Sequence, residues 1–211
     1  MRPVKLGPYT PAVASTTAFN AQTFNSTGAA TAPTTTSTSD GLAHYVTLTS
    51  PAQATLAGIT FTILGTDADG HSISDSFIGP ASASTVTSTK FFKTITTIQP
   101  SATMGALVVS VGIAVTAITP TIALNGNSTA AAGMTVGITG TINYTAYETF
   151  ADVFNHDPQS VSTQISALAS KTANTSANCS VSATGTFILV NSVTATATLT
   201  VYLNQGTSAT G

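Results

Sequence analysis

Charge is the scarcest feature of this chain: 6% of its 211 residues are Asp, Glu, Lys or Arg, against about 25% in an average globular protein. Five Lys and Arg against seven Asp and Glu leave a formal net charge of −2. There is no basic face to neutralise phosphates, so neither nucleic acid nor an anionic membrane is expected as a partner. Charged residues are missing altogether between Lys93 and Glu148 and again after Lys171. Tryptophan is absent, and the single cysteine, Cys179, has no second thiol for an intrachain disulfide or for dithiol redox chemistry. Stability must come from burial or from partner subunits. A long apolar run is missing too. In the stretch from Leu107 to Leu124, Val109, Val111, Ile113 and Val115 alternate with Ser110, Gly112, Ala114 and Thr116, and Pro120 interrupts it. That period of two reads as a strand and not as a transmembrane helix. The start, Met1-Arg2-Pro3-Val4-Lys5-Leu6-Gly7-Pro8, has positive charge but no apolar core after it, so no export signal is expected.

What is abundant is threonine, 43 residues, and alanine, 32. A hydrophobic content of 42% argues against disorder despite that composition. Residues 1–40 are rich in Thr, Ala, Ser and Pro and end in the polar run Thr31 to Asp40, which predicts an extended N-terminal arm. From His44 the pattern changes. Tyr45, Thr47 and Thr49 alternate with Val46 and Leu48, and Ile59, Phe61 and Ile63 alternate with Thr60, Thr62 and Leu64. Asp69-Gly70, ahead of the alternating Ile73, Asp75 and Phe77, predicts a tight hairpin turn of the primed type. Thr85 to Ile98 is β-branched and aromatic throughout, and Gln99-Pro100-Ser101 closes it. Pro120 and Asn125-Gly126-Asn127 mark a boundary, after which Met134 to Tyr147 alternates again. Val161, Ile165 and Leu168 fall at i, i+4, i+7 behind Asp157-Pro158, which predicts one short helix over 157–171. Gly185 to Asn204 reads as two strands joined near Asn191-Ser192.

The chemistry-bearing residues give little. Asp67, Asp69, His71 and Asp75 crowd one segment, but a calcium loop of the EF type needs its Gly sixth and a Glu twelfth, whereas Gly70 comes fourth and Phe77 or Ile78 stands where the acid belongs. A hairpin tip is the better reading. Glu148, Asp152 and His156 are spaced by four and would share one solvated helical face, with Phe150, Val153 and Phe154 on the buried side. A zinc site of three histidines would need His44, His71 and His156 to converge. Gly-x-Ser-x-Gly, the P-loop and the dinucleotide fingerprint do not occur. Cys179 has no basic neighbour in Ala177-Asn178-Cys179-Ser180 and reads as a small buried hydrophobe. No catalytic, cofactor-binding or metal-ligating residue is assigned, no cofactor is expected, and the chain is not read as an enzyme.

Leu64-Gly65-Thr66-Asp67-Ala68-Asp69-Gly70-His71-Ser72-Ile73-Ser74-Asp75-Ser76-Phe77-Ile78-Gly79-Pro80, followed by Thr87-Ser88-Thr89-Lys90-Phe91-Phe92-Lys93-Thr94-Ile95, resembles β-rich virion proteins of tailed bacteriophages. Lys171-Thr172-Ala173-Asn174 with Thr196 to Val201 is similar to the ending of such proteins, and together these motifs cover about a third of the chain. The resemblance implies a structural role in the virion without catalytic residues. The fold expected is all-β, an antiparallel β-sandwich or jelly-roll-like arrangement with at most one short helix. It comprises the arm (1–40), a sandwich-like unit (41–118) and a second β-unit (119–211). The function expected is a capsid decoration or cement protein. Its partners would be further copies of itself, a trimer suiting capsid axes, and the major capsid protein or other virion proteins. A tail, head-to-tail adaptor or fibre subunit is the alternative within that class, and a glycan- or receptor-binding adhesin module the alternative outside it. Assembly would take place in the host cytoplasm.

Overall fold

A computed structural model describes residues 3–19, 21–23, 29–51, 55–104, 107–125, 130–154 and 161–205. Among them the strands in chain order are β1 (Val4–Tyr9), β2 (Ala21–Thr23), β3 (Ala43–Thr49), β4 (Thr60–Thr66), β5 (Ser72–Ile78), β6 (Thr85–Phe92), β7 (Thr94–Pro100), β8 (Val108–Ile118), β9 (Ile122–Ala123), β10 (Ala132–Thr139), β11 (Ile142–Thr149), β12 (Ser162–Gln164), β13 (Thr175–Asn178), β14 (Gly185–Val193) and β15 (Thr198–Gln205). The only helical element among the described residues is a single 3-10 turn, Ser166–Leu168. The protein is all-β with several antiparallel sheets, as the alternation predicts, and its architecture is sandwich-like.

Two compact units result, one of Met1–Val13 with Ile118–Gly211 and one of Ala14–Ala117. The first holds a four-stranded sheet of order β1-β15-β10-β13, and a second sheet in which β11 lies between β12 and β14, with β9 also on β14. Alternation along β10 and β15 buries Met134, Val136, Leu199, Val201 and Leu203 and turns Thr135 and Tyr202 outward. The other unit holds β8-β3-β6, with β2 on β8, and the three-stranded sheet β5-β4-β7. Phe61, Ile63, Ile95 and Ile98 are buried on the latter. The described residues of the 1–40 segment divide between the units. Val4–Tyr9 pairs with β15, while Ser15, Thr31 and Ser37 bridge to Ile113, Ile98 and Thr94.

Three alternating runs break into two strands that enter different sheets. Thr85 to Ile98 divides at Lys93 into β6 and β7, Met134 to Tyr147 at Gly140-Thr141 into β10 and β11, and the C-terminal run at 194–197 into β14 and β15, not near Asn191-Ser192, which lie inside β14. The last two corners meet: Thr194 N–H donates to Thr141 O at 3.0 Å, and a Cβ on Gly140 would lie 2.9 Å from that of Ala197.

Two local expectations are corrected. Asp69-Gly70 does not form a primed two-residue turn. Asp67 N–H donates to His71 O, Gly70 N–H donates to Asp67 O, and Gly70 alone in the loop has positive φ (91°), whereas the primed type I turn needs two such residues. The loop is a three-residue connection closed by the Asp67 side chain. The helix expected over 157–171 is not formed in its described part. Ser162–Gln164 is a strand on β11, followed by the 3-10 turn, while residues 157–160 lie outside the described residues. Ser and Thr have low helix propensity, and an open edge of β11 offers their backbone a ladder instead.

Candidate functional site

The hairpin acids are turned to backbone work. Asp67 is buried. Its Oδ1 accepts the N–H groups of Asp69 and His71, both at 2.9 Å, and its Oδ2 lies 3.2 Å from His71 Nδ1. Asp75, buried in the middle of β5, accepts from the backbone N–H groups of Thr89 and Lys90 and from the Thr89 hydroxyl. It thereby covers part of the edge of β6 with a carboxylate, a device that keeps an edge strand from pairing with another chain.

At Glu148 the expected amphipathic face is inverted. Residues 142–149 are strand, not helix, and Glu148 is only 8% exposed. Its two carboxylate oxygens accept from the Ser180 N–H and the Ser180 hydroxyl, each at 2.6 Å. Asp152 accepts the Phe154 N–H in a turn, and His156 lies outside the described residues. Phe150 and Phe154, expected on the buried side, are 41% and 74% exposed. Val161, whose carbonyl accepts the Phe150 N–H, and Val181, next to Ser180, are exposed as well. The chain leaves β11 at Thr149 and runs through a bend and a turn over 150–154, so helical periodicity assigns no faces there. Nothing in the local sequence marks Phe150 and Phe154 as surface residues.

His44 is fully buried and sits between two acceptors, the Ala114 carbonyl at Nδ1 and Asp40 Oδ2 at Nε2, both at 2.8 Å. His44 and His71 are therefore each occupied by a neighbouring aspartate. Among the described residues no three His, Cys, Asp or Glu side chains group as metal ligands would.

Cys179 is buried, as expected. Burial, and after it the Glu148 charge, raises its thiol to about 11. Burial also raises the phenols of Tyr9 and Tyr144, the latter donating to Ala173 O at 3.0 Å. All three groups are neutral when protonated. Their contribution to stability is complete below the ordinary thiol and phenol values and is lost as pH rises through the raised ones. Urea midpoints are therefore expected to hold steady up to about pH 9 and to fall above it. Cys179 is expected to resist iodoacetamide in the folded protein at neutral pH and to react once urea exposes it. Modification of the native thiol at the rate of an unfolded peptide would contradict that burial.

The remaining candidate surfaces are sheet edges and open faces. β13 is an edge of the four-stranded sheet and carries no charge, Ser176 and Asn178 being exposed. On the outer face of the same sheet, Thr135, Gly137, Thr139, Asn174, Thr200 and Tyr202 border an open depression. Among the described residues, no helix is long and apolar enough to cross a membrane. No protein family, no curated protein and no solved structure matches this chain.

Proposed function

We propose that this chain is a non-enzymatic structural protein of a tailed-phage virion, most simply a head decoration or cement protein that stabilises the shell through subunit contacts. The observation that carries the reading is the end of β11, where the acid is inside and the phenylalanines are outside. Phe150, Phe154, Val161 and Val181 are exposed apolar side chains, with Asp152 as the one charge between the phenylalanines, and they gain by being covered. Each such side chain contributes about 1.5–3 kcal/mol when fully buried, and many copies on one particle multiply a modest contact. The charge-free edge of β13 offers a second contact, since the Lys and Glu residues that normally keep sheet edges apart are missing from it. The resemblance of the 64–95 segment to phage virion proteins supports the same reading. Further copies of this chain and the major capsid protein are the partners it implies.

The test is the copy number in purified virions, by quantitative mass spectrometry against the major capsid protein. On the order of hundreds of copies fits a shell protein, whereas about three to a few dozen assigns the chain to the tail, connector or fibre. Absence from the particle overturns the reading in favour of an adhesin. Phe154→Ser is expected to change stability by less than about 0.5 kcal/mol, because the side chain is exposed. The same variant is expected to lower occupancy on the particle; unchanged occupancy would remove Phe154 from the contact.

A further inference from the structure

Gly137 lies inside β10, yet neither its backbone nor its packing calls for glycine. Its φ is not among the positive ones, and the register of β10 on β15 runs through it without a bulge. A Cβ at this position would come no closer than 3.8 Å to the Tyr202 ring and 3.9 Å to Thr200 O, ordinary contact distances. Glycine inside a strand costs roughly 0.5–1 kcal/mol relative to alanine. When no bend or tight backbone approach accounts for it, the remaining use is room for something that comes close to the sheet.

The surroundings of Gly137 are consistent with such a guest. Elsewhere on this face the hydroxyls close on one another across strands, Thr135 with Ser176 at 2.8 Å and Thr139 with Thr198 at 2.7 Å. Thr200 stands directly opposite Gly137, and its hydroxyl makes no hydrogen bond to another described residue. Asn174 Oδ1 accepts the Ile138 N–H at 2.7 Å, which fixes the amide and leaves its NH2 group as a donor. Tyr202 is half exposed, with Lys5 Nζ 5.8 Å from the ring centre. The depression so formed has a volume of about 360 Å3 and an uncharged lining. That volume falls within the roughly 300–1,000 Å3 of small-molecule sites.

We propose that this depression is a binding site for a neutral sugar ring, seated over Gly137 against the Tyr202 ring and hydrogen-bonded to Thr200 and Asn174. An aromatic ring beside hydroxyl and amide groups matches the alternating C–H and O–H surface of a sugar. An uncharged lining demands no charge of the ligand. The proposal does not rest on the virion reading, since it uses only the outer face of one sheet.

The experiment is a 1H-15N titration of the full chain with maltotriose, cellotriose, chitotriose and mannotriose, each to on the order of 10 mM, which detects even millimolar binding. At least one of them is expected to shift Gly137, Thr200 and Tyr202 selectively. Gly137→Thr places a side chain in the depression, its Cβ at ordinary contact distances, and Tyr202→Ala removes its wall. Each is expected to weaken binding at least tenfold while the spectrum of the free protein stays that of a folded chain. Three results would overturn the site: no shift at these residues with any of the four sugars, shifts confined to another surface, or binding that survives both substitutions.

Discussion

Replacing Asp40 by alanine is expected to destabilise the protein by about 3–5 kcal/mol, the cost of removing one partner from a buried charged or proton-sharing pair. Asp40 and His44 have side chains 2% and 0% exposed. The Ala114 carbonyl can only accept, so the His44 Nδ1 proton is committed to it, and the bond from Nε2 to Asp40 Oδ2 needs a second proton between those atoms. Without Asp40, Nε2 of the buried His44 loses this partner, and the Leu42 N–H, which donates to Asp40 Oδ1 at 3.0 Å, loses its acceptor too. Asp40→Asn keeps an amide NH2 that can donate to Nε2 and an oxygen that can accept from Leu42. It is expected to cost clearly less than Asp40→Ala. Urea unfolding of the two variants makes the comparison, and equal small losses, below about 1 kcal/mol, would show that the pair does not hold this part of the unit.

The second large effect is expected at Gly65. A Cβ there would lie 2.0 Å from Thr94 O and 2.9 Å from Thr94 C, far inside contact, so β7 would have to move away from β4. The register of the two strands already shifts between Leu64 and Gly65, and the buried Phe61, Ile63, Ile95 and Ile98 lie along the same pair. Gly65→Ala is therefore expected to cost about 3 kcal/mol, at the upper end of overpacking changes. Gly137→Ala, one strand glycine exchanged in the other unit without a close contact, is the control and is expected to be neutral or to stabilise by about 0.5–1 kcal/mol. Thermal melts of both would decide. A tolerated Gly65→Ala would mean that β4 and β7 are not held as closely as their backbone distance requires.

The two glycines illustrate how far the sequence can be read. Both stand in alternating runs of β-branched residues, and nothing near either one tells that Gly65 is required by a neighbouring carbonyl and Gly137 is not. The hairpin at 67–71 was legible from Asp-Gly, but its loop type was not, because Asp67 closes the turn with its own side chain. The acids were legible as a shortage and not as positions. Glu148 reads as a solvated residue of a helix and is in fact the buried acceptor for Ser180, 32 residues away along the chain.

By itself the sequence determined the all-β class, the burial of Cys179, the absence of a second thiol and the near absence of charge, because composition and period-two alternation are properties of a single strand and need no partner. Only the tertiary structure decided where the alternating runs turn from one sheet into another, that β1 joins the unit built from the C-terminal half, which acids are buried, that Phe150 and Phe154 face outward, and that Thr200 stands opposite Gly137. Alternation passes through a corner unchanged. Which strand becomes the neighbour of which is set by pairings between distant parts of the chain, and those leave no mark on either segment alone.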